Sequence, residues 1–198
     1  MVSGANSAAH VVIVGIETPI GATLAGLYQS TGANVTGSSL DGDMETEAAR
    51  LGEKPIDIVI FADAFNAPAR NAVELERSDF EAGLSRLAFK PLWLANRLRS
   101  ALSASDGPGK IVLVTRTAAT MTEPDPAGSY LERPFRAAAH ALWKSMSVEW
   151  QPLGIDCLVI AIDDATTVNA DLLTTIADTS VSPEGCVLQD AAGKPLGW

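Results

Sequence analysis

Proton exchange, anion recognition and metal binding each need particular side chains, and few of the 198 residues supply them. A phenol such as Tyr130, or a carboxyl such as that of Glu132, can pass a proton to or from a substrate oxygen. Guanidinium groups such as those of Arg116 and Arg136 suit carboxylate or phosphate. A metal site is not expected, because the only histidines are His10 and His140, with no ligand spacing between them. The two cysteines, Cys157 and Cys186, fall in apolar runs that read as strands, so both thiols are expected to be buried. With 24 acidic against 14 basic residues the net charge is -10, which argues against nucleic acid as a partner. No apolar stretch approaches the roughly 20 residues that cross a bilayer. The first nine residues lack the charged and apolar regions of a signal peptide. No membrane association and a cytoplasmic location are therefore expected.

An alternation of strands and helices must position these groups. Residues 10–15 (HVVIVG) are a β-branched apolar run ending in glycine, which reads as a buried strand. Residues 17–30 follow with Ile20, Leu24 and Leu27 at helical spacing, and Gly32 closes that helix. Residues 34–40 form a weaker strand, and 45–51 a short helix stopped by Gly52. The runs 57–62 (DIVIFA), 110–115 (KIVLVT) and 155–162 (IDCLVIAI) read as central strands, and 185–189 as the last one. Residues 78–103 form a long helix, capped by Ser78 or Asp79; Pro91 within it must bend it or open a backbone hydrogen bond. Residues 134–150 form another, with Ala138, Leu142, Ser145 and Met146 on a packing face. This order implies right-handed βαβ crossovers and an α/β, Rossmann-type, doubly wound parallel sheet flanked by helices. A single domain over residues 1–198 accounts for the whole pattern.

The run VVIVGIETPIGATLA over residues 11–25 resembles the first βα unit of the short-chain dehydrogenase/reductase family. Other segments follow in that family's order. IDIVIFADAF resembles its fourth strand and N-N-A-G turn, and FEAGLSRLAFKPL the helix after it. KIVLVTRTAAT resembles the strand of the active-site serine, ERPFRAAAHALWKSMSVEW the helix of the Y-x-x-x-K pair, and GIDCLVIAIDDATT the sixth strand. The ending GCVLQDAAGKPLGW resembles that of the C-factor and carbonyl-reductase branch. The resemblance implies an NAD or NADP site whose pyrophosphate faces backbone amides at the first helix. Gly15 and Gly21 match the outer glycines of T-G-x-x-x-G-x-G, with Thr18 and Ile20 between them. Pro19 replaces the middle glycine and removes an N–H.

Carried across residue by residue, the resemblance places Arg116 at the serine, Glu132 at the tyrosine, Arg136 at the lysine and Leu87 at the asparagine. All four functional types are changed. Three readings stay open: an ion-paired Arg–Glu–Arg cluster that fills the vacated site, a pocket for a small anion, or reduction by a new acid, Glu132 or Tyr130. Thr115 and Thr117 flank Arg116. Alternate side chains of a strand face opposite ways, so either points elsewhere unless the register differs or the strand has ended.

The cofactor side is altered too. Only about 25 residues separate Gly32 from Asp57, too few for a strand, crossover helix, parallel strand and second helix. The crossover between the family's second and third strands is therefore shortened. Asp41 then corresponds to the adenine-contacting aspartate, or is a solvated turn residue. N-N-A-G has become Phe61-Ala62-Asp63-Ala64, where Asp63 opposes an anion. Ile162-Asp163 replaces the family's P-G turn, and Thr167 matches the threonine that contacts the nicotinamide amide. The correlated losses imply a pseudoenzyme without cofactor (NAD or NADP if any). Its expected role is that of a subunit in a homodimer, a homotetramer or a hetero-oligomer with an active family member. The contact would use the two long helices, with Trp93, Trp143 and Trp150 as anchors. An atypical NAD(P)-dependent oxidoreductase reducing a carbonyl substrate is the alternative.

Overall fold

Every apolar run named above forms a strand in the computed structural model, which describes residues 8–62, 71–122, 129–163, 165–180 and 182–198. In chain order the elements are β1 (His10–Val14), α1 (Pro19–Ser30), β2 (Asn34–Ser38), α2 (Met44–Leu51), β3 (Ile58–Phe61), α3 (Arg77–Leu84), α4 (Lys90–Ser103), β4 (Gly109–Thr115), α5 (Arg133–Trp150), β5 (Ile155–Ala161), α6 (Ala170–Asp178) and β6 (Leu188–Asp190). All strand pairs are parallel, in the order β2-β1-β3-β4-β5-β6. The order reverses at β1, which has β2 on one side and β3 on the other. In doubly wound sheets that reversal opens a crevice at the carboxyl ends of the strands. One helix, α2, carries the chain from β2 to β3, which is the shortened crossover read from the sequence.

Strand alternation splits the core into two layers. Val12, Val14, Val59, Phe61, Ile111 and Leu113 face α2, α4 and α5, while Val11, Ile13, Ile60 and Val112 face α1 and α6. Trp143, Trp150 and Met146 belong to the first layer and are fully or almost fully buried. Phe61 meets the Trp143 ring edge-on at 5.5 Å. The expectation that Trp143 and Trp150 anchor a partner is thereby corrected: on an amphipathic helix the largest apolar side chains lie toward the sheet.

Pro91 acts as expected. It cannot donate a hydrogen bond, and a π-helical turn, Ser85–Phe89, precedes it, with the Lys90 amide bonded back to Ser85 O. The helix starts at Arg77 rather than at Ser78 or Asp79; Asp79 accepts a hydrogen bond from the Glu76 amide at 3.2 Å. α6 is an element that the sequence reading lacks. Its Asn169 cap accepts from the Leu172 amide at 3.1 Å, and only Leu172 and Ile176 are buried, too short an apolar stripe to stand out. β6 begins at Leu188, so Cys186 precedes the strand; both cysteines are buried and unpaired. After β6 the chain turns at Gly193 (φ +81°) and runs back, the Leu196 amide bonding Leu188 O at 2.8 Å.

The turn between β1 and α1 sets where the crevice begins. Gly15 has φ +87°, which glycine adopts without strain. A Cβ on Gly21 would stand 2.1 Å from Gly15 O, so α1 can approach β1 only if position 21 carries no side chain. The Gly21→Ala variant is expected to lose about 3 kcal/mol of stability through this overlap, measured by urea unfolding; an unchanged midpoint would mean that the turn yields freely.

Candidate functional site

The helix that opens the crevice is closed on itself. Thr18 caps α1, its Oγ1 accepting from the Gly21 amide at 3.0 Å and lying 2.9 Å from both Gly15 O and Ala62 O. Pro19 at the helix start has no amide proton. Of the first three helical residues only Ile20 keeps an amide to offer an anion, and the exposed Glu17 brings negative charge beside it. Ala62 is buried, and its amide completes the ladder to Val14 O at 2.8 Å. Over β2, a Cβ on Gly37 would meet Ile16 Cδ1 at 2.8 Å, so the Ile16 side chain lies directly on that strand.

Beyond β2 the chain is strapped to the long helix. Arg86, in the π turn, donates to both Asp41 carboxylate oxygens, and Lys90 Nζ donates to Leu40 O at 2.7 Å. The Arg86 hydrogen bond holds the Asp41 carboxyl below the usual carboxylate range. Asp41 is thus an exposed residue of the bend after β2 whose carboxylate pairs with Arg86. At the far side of the crevice Asp163 Oδ1 accepts from the Thr117 amide at 2.7 Å, tying the end of β5 to the turn after β4. Thr167 is exposed on the turn Ala165–Thr167. Asp63 and Ala64 lie outside the described residues.

Between these straps, the positions matched to serine, tyrosine and lysine come together. Glu132 precedes α5, and its Oε1 accepts from Arg136 Nε at 2.9 Å, with Arg116 Nη1 at 3.8 Å. The spacing of four residues along a helix brings Glu132 and Arg136 onto one face. The Arg136 side chain is 6% exposed, that of Glu132 24% and that of Arg116 41%, so the pair grades from core to surface. Leu87, at the asparagine position, packs with Leu131 and Phe135 in a small apolar cluster, and Phe80 meets Phe135 edge-on at 5.4 Å. Tyr130 lies on the turn Ser129–Leu131 and is half-exposed. Phe61, Arg86, Leu87, Thr115, Arg136 and His140 border a cavity of about 20 Å³, room for roughly one water molecule.

His140 is a residue that the sequence reading weighed only as a metal ligand. It is buried on α5, one turn after Arg136, with Nε2 at 2.7 Å from Thr115 Oγ1. Thr115 ends β4 and faces α5 on the same side as Leu113, so its hydroxyl is engaged by the imidazole. The available signal was its position four residues after Arg136, which puts both on one face of α5.

Burial, reinforced by the neighbouring Arg136 cation, pushes the His140 imidazole down from 6.5 to about 4. Between those values the unfolded chain binds the proton and the folded chain does not, so stability falls as pH drops. From pH 7 to pH 5 this group is expected to remove about 2 kcal/mol of stability. Urea titrations should show a drop that His140→Gln abolishes; an equal drop in the variant would assign it to other groups.

No known family model matches the chain, and no curated protein matches it by sequence. Solved structures do match. A carbonyl reductase of Pseudomonas aeruginosa PAO1, in complex with NADP, is 22% identical with TM-score 0.81, the match covering 96% of this chain and all of that one. The carbonyl reductase Sniffer of D. melanogaster is 14% identical with TM-score 0.80, over 96% of this chain and all of that one. An NADPH-bound carbonyl reductase from chicken fatty liver is 15% identical with TM-score 0.77, over 96% and 94%. Identities this low speak to architecture, and the architecture is plain: this chain has the Rossmann-like fold of the short-chain dehydrogenases and carbonyl reductases.

Proposed function

We propose that this chain keeps the short-chain dehydrogenase/reductase fold without its hydride transfer and serves as a non-catalytic subunit. The observation that carries this reading is Glu132, which stands at the tyrosine position with its carboxylate engaged by Arg136 at 2.9 Å and near Arg116 at 3.8 Å. An ionised carboxylate accepts hydrogen bonds and has none to donate, whereas reduction of a carbonyl needs a donor at that point. The arginines face Glu132, so small-anion binding there would require Glu132 to give way.

The solved relatives carry NADP or NADPH, but the crevice of this chain suits a dinucleotide poorly. The first helical turn lacks the Pro19 donor and has its Gly21 amide capped. Ile16 covers Gly37, and the space beside His140 holds about one water. Calorimetric titration with NADPH and NADH is expected to give no saturable heat up to about 1 mM; binding tighter than about 100 μM would overturn the reading. Glu132→Gln is expected to lose about 2 kcal/mol of stability, since the anion that accepts from buried Arg136 Nε is then neutralised. Reductase activity in the parent that vanishes in this variant at unchanged stability would make Glu132 an acid instead.

Self-association through the long helices is the assembly that the surface supports, as a homodimer or homotetramer. Phe89, Leu92 and Trp93 near the start of α4, and Leu142 and Val148 on α5, remain wholly or partly exposed. Sedimentation velocity should show a dimer or tetramer. A monomer at every concentration would leave only a hetero-oligomer with an active family member.

A further inference from the structure

A groove on the flank of α5 lies on the other side of His140 from the small cavity in the crevice. Ala137 and Ala141 stand one helical turn apart in its wall, His140 lies between them, and Lys144 follows one turn on. Met121, from the turn after β4, and Trp198, from the segment after β6, complete a space of about 410 Å³. That volume is within the roughly 300–1,000 Å³ of small-molecule sites, which are mostly apolar with a few placed polar groups.

Met121 is 67% exposed and Trp198 38%, so both leave apolar surface open to a ligand. The hollow is also built, not incidental. The Met121 amide donates to Trp198 O at 3.1 Å, and a Cβ on Gly197 would meet Thr122 Cγ2 at 2.4 Å, so the terminal segment is held close against that turn.

Two polar groups line it. The His140 ring stands 5.8 Å from Trp198, its Nε2 is taken by Thr115, and its Nδ1 makes no hydrogen bond to a described residue. Lys144 Nζ donates to Cys186 O at 2.8 Å and sits 5.8 Å from the Trp198 ring centre. An ammonium has three donors, so the bond to Cys186 does not exhaust it. No aspartate or glutamate is among the described residues that line it, on a chain whose net charge is -10. The described lining thus combines apolar side chains with one ammonium, which suits an anion with an apolar body.

We propose that this groove binds a small carboxylate with a flat apolar body. The carboxylate rests on Lys144, the body lies over Ala137 and Ala141 beside Trp198 and Met121, and one hydrogen bond reaches His140 Nδ1. This site is separate from the Glu132 cluster and stands or falls independently of whether the crevice binds NADPH.

The test is titration of the full chain with 2-naphthoate, followed by calorimetry, with 2-naphthamide as the uncharged control. Saturable binding of the carboxylate between about 10 μM and 1 mM is expected, with the amide at least tenfold weaker. Lys144→Gln should weaken naphthoate about tenfold. Ala141→Leu, a surface change on a helix, should abolish binding while leaving the urea midpoint in place. Equal affinity for acid and amide, or binding that Ala141→Leu leaves intact, would overturn the proposal. So would the absence of saturable heat, including the case in which a second copy of the chain covers the groove.

Discussion

A guanidinium cannot be held inside an apolar layer without an anion beside it, because removing its charge from water costs several kcal/mol. Arg136 is such a group, and the surrounding residues are arranged around its needs. Glu132, one turn before it, supplies the anion at 2.9 Å. Arg116 closes on the outer side of the same carboxylate. One turn after it, His140 stays uncharged and joins its imidazole to Thr115, while Arg133, buried one turn before it, donates to Thr120 O. The start of α5, the end of β4 and the turn that follows are thereby locked together by the Glu132 cluster and the His140–Thr115 hydrogen bond.

The same region shows why single replacements at such a site are rarely isolated. Leu87 is apolar where a hydrogen-bonding residue is expected, and it has apolar company in Leu131 and Phe135. Gly83 belongs to that arrangement, since a Cβ there would meet the Phe135 ring at 2.4 Å. Meanwhile Arg86, a residue before Leu87, turns the other way to reach Asp41. An apolar plug, an internal ion pair and a strap to the loop after β2 thus stand side by side here. Each element fits because the others are present, which is how local choices agree in a foldable sequence.

Much of the architecture was legible in the chain. The runs that became β1, β3, β4 and β5 are continuous and β-branched, so burial on both faces leaves little else for them to be. Pro91 announced its irregular turn through a missing N–H. The elements misjudged had weak signals. α6 presents only two buried residues in nine, and the start of α3 depends on Glu76 and Asp79, a less common capping pair than Ser or Asp at the cap itself. The aromatic anchors were misplaced because residue type does not say which side of a helix meets the sheet. Trp143 and Trp150 went inward and Trp93 stayed near the surface, with Arg97 stacked 4.9 Å from its ring centre.

By itself the amino-acid sequence determined the order of strands and helices, the doubly wound topology and the side-chain types at the four positions matched by resemblance. Those features follow from backbone periodicity and from residue identity, which are local. Tertiary structure alone decided what those side chains meet. It paired Asp41 with Arg86 across 45 positions and Thr115 with His140 across 25, and it brought Trp198 to the flank of α5. Such pairings have no local signature, because they arise only when sheet register and helix packing bring distant segments within hydrogen-bond reach.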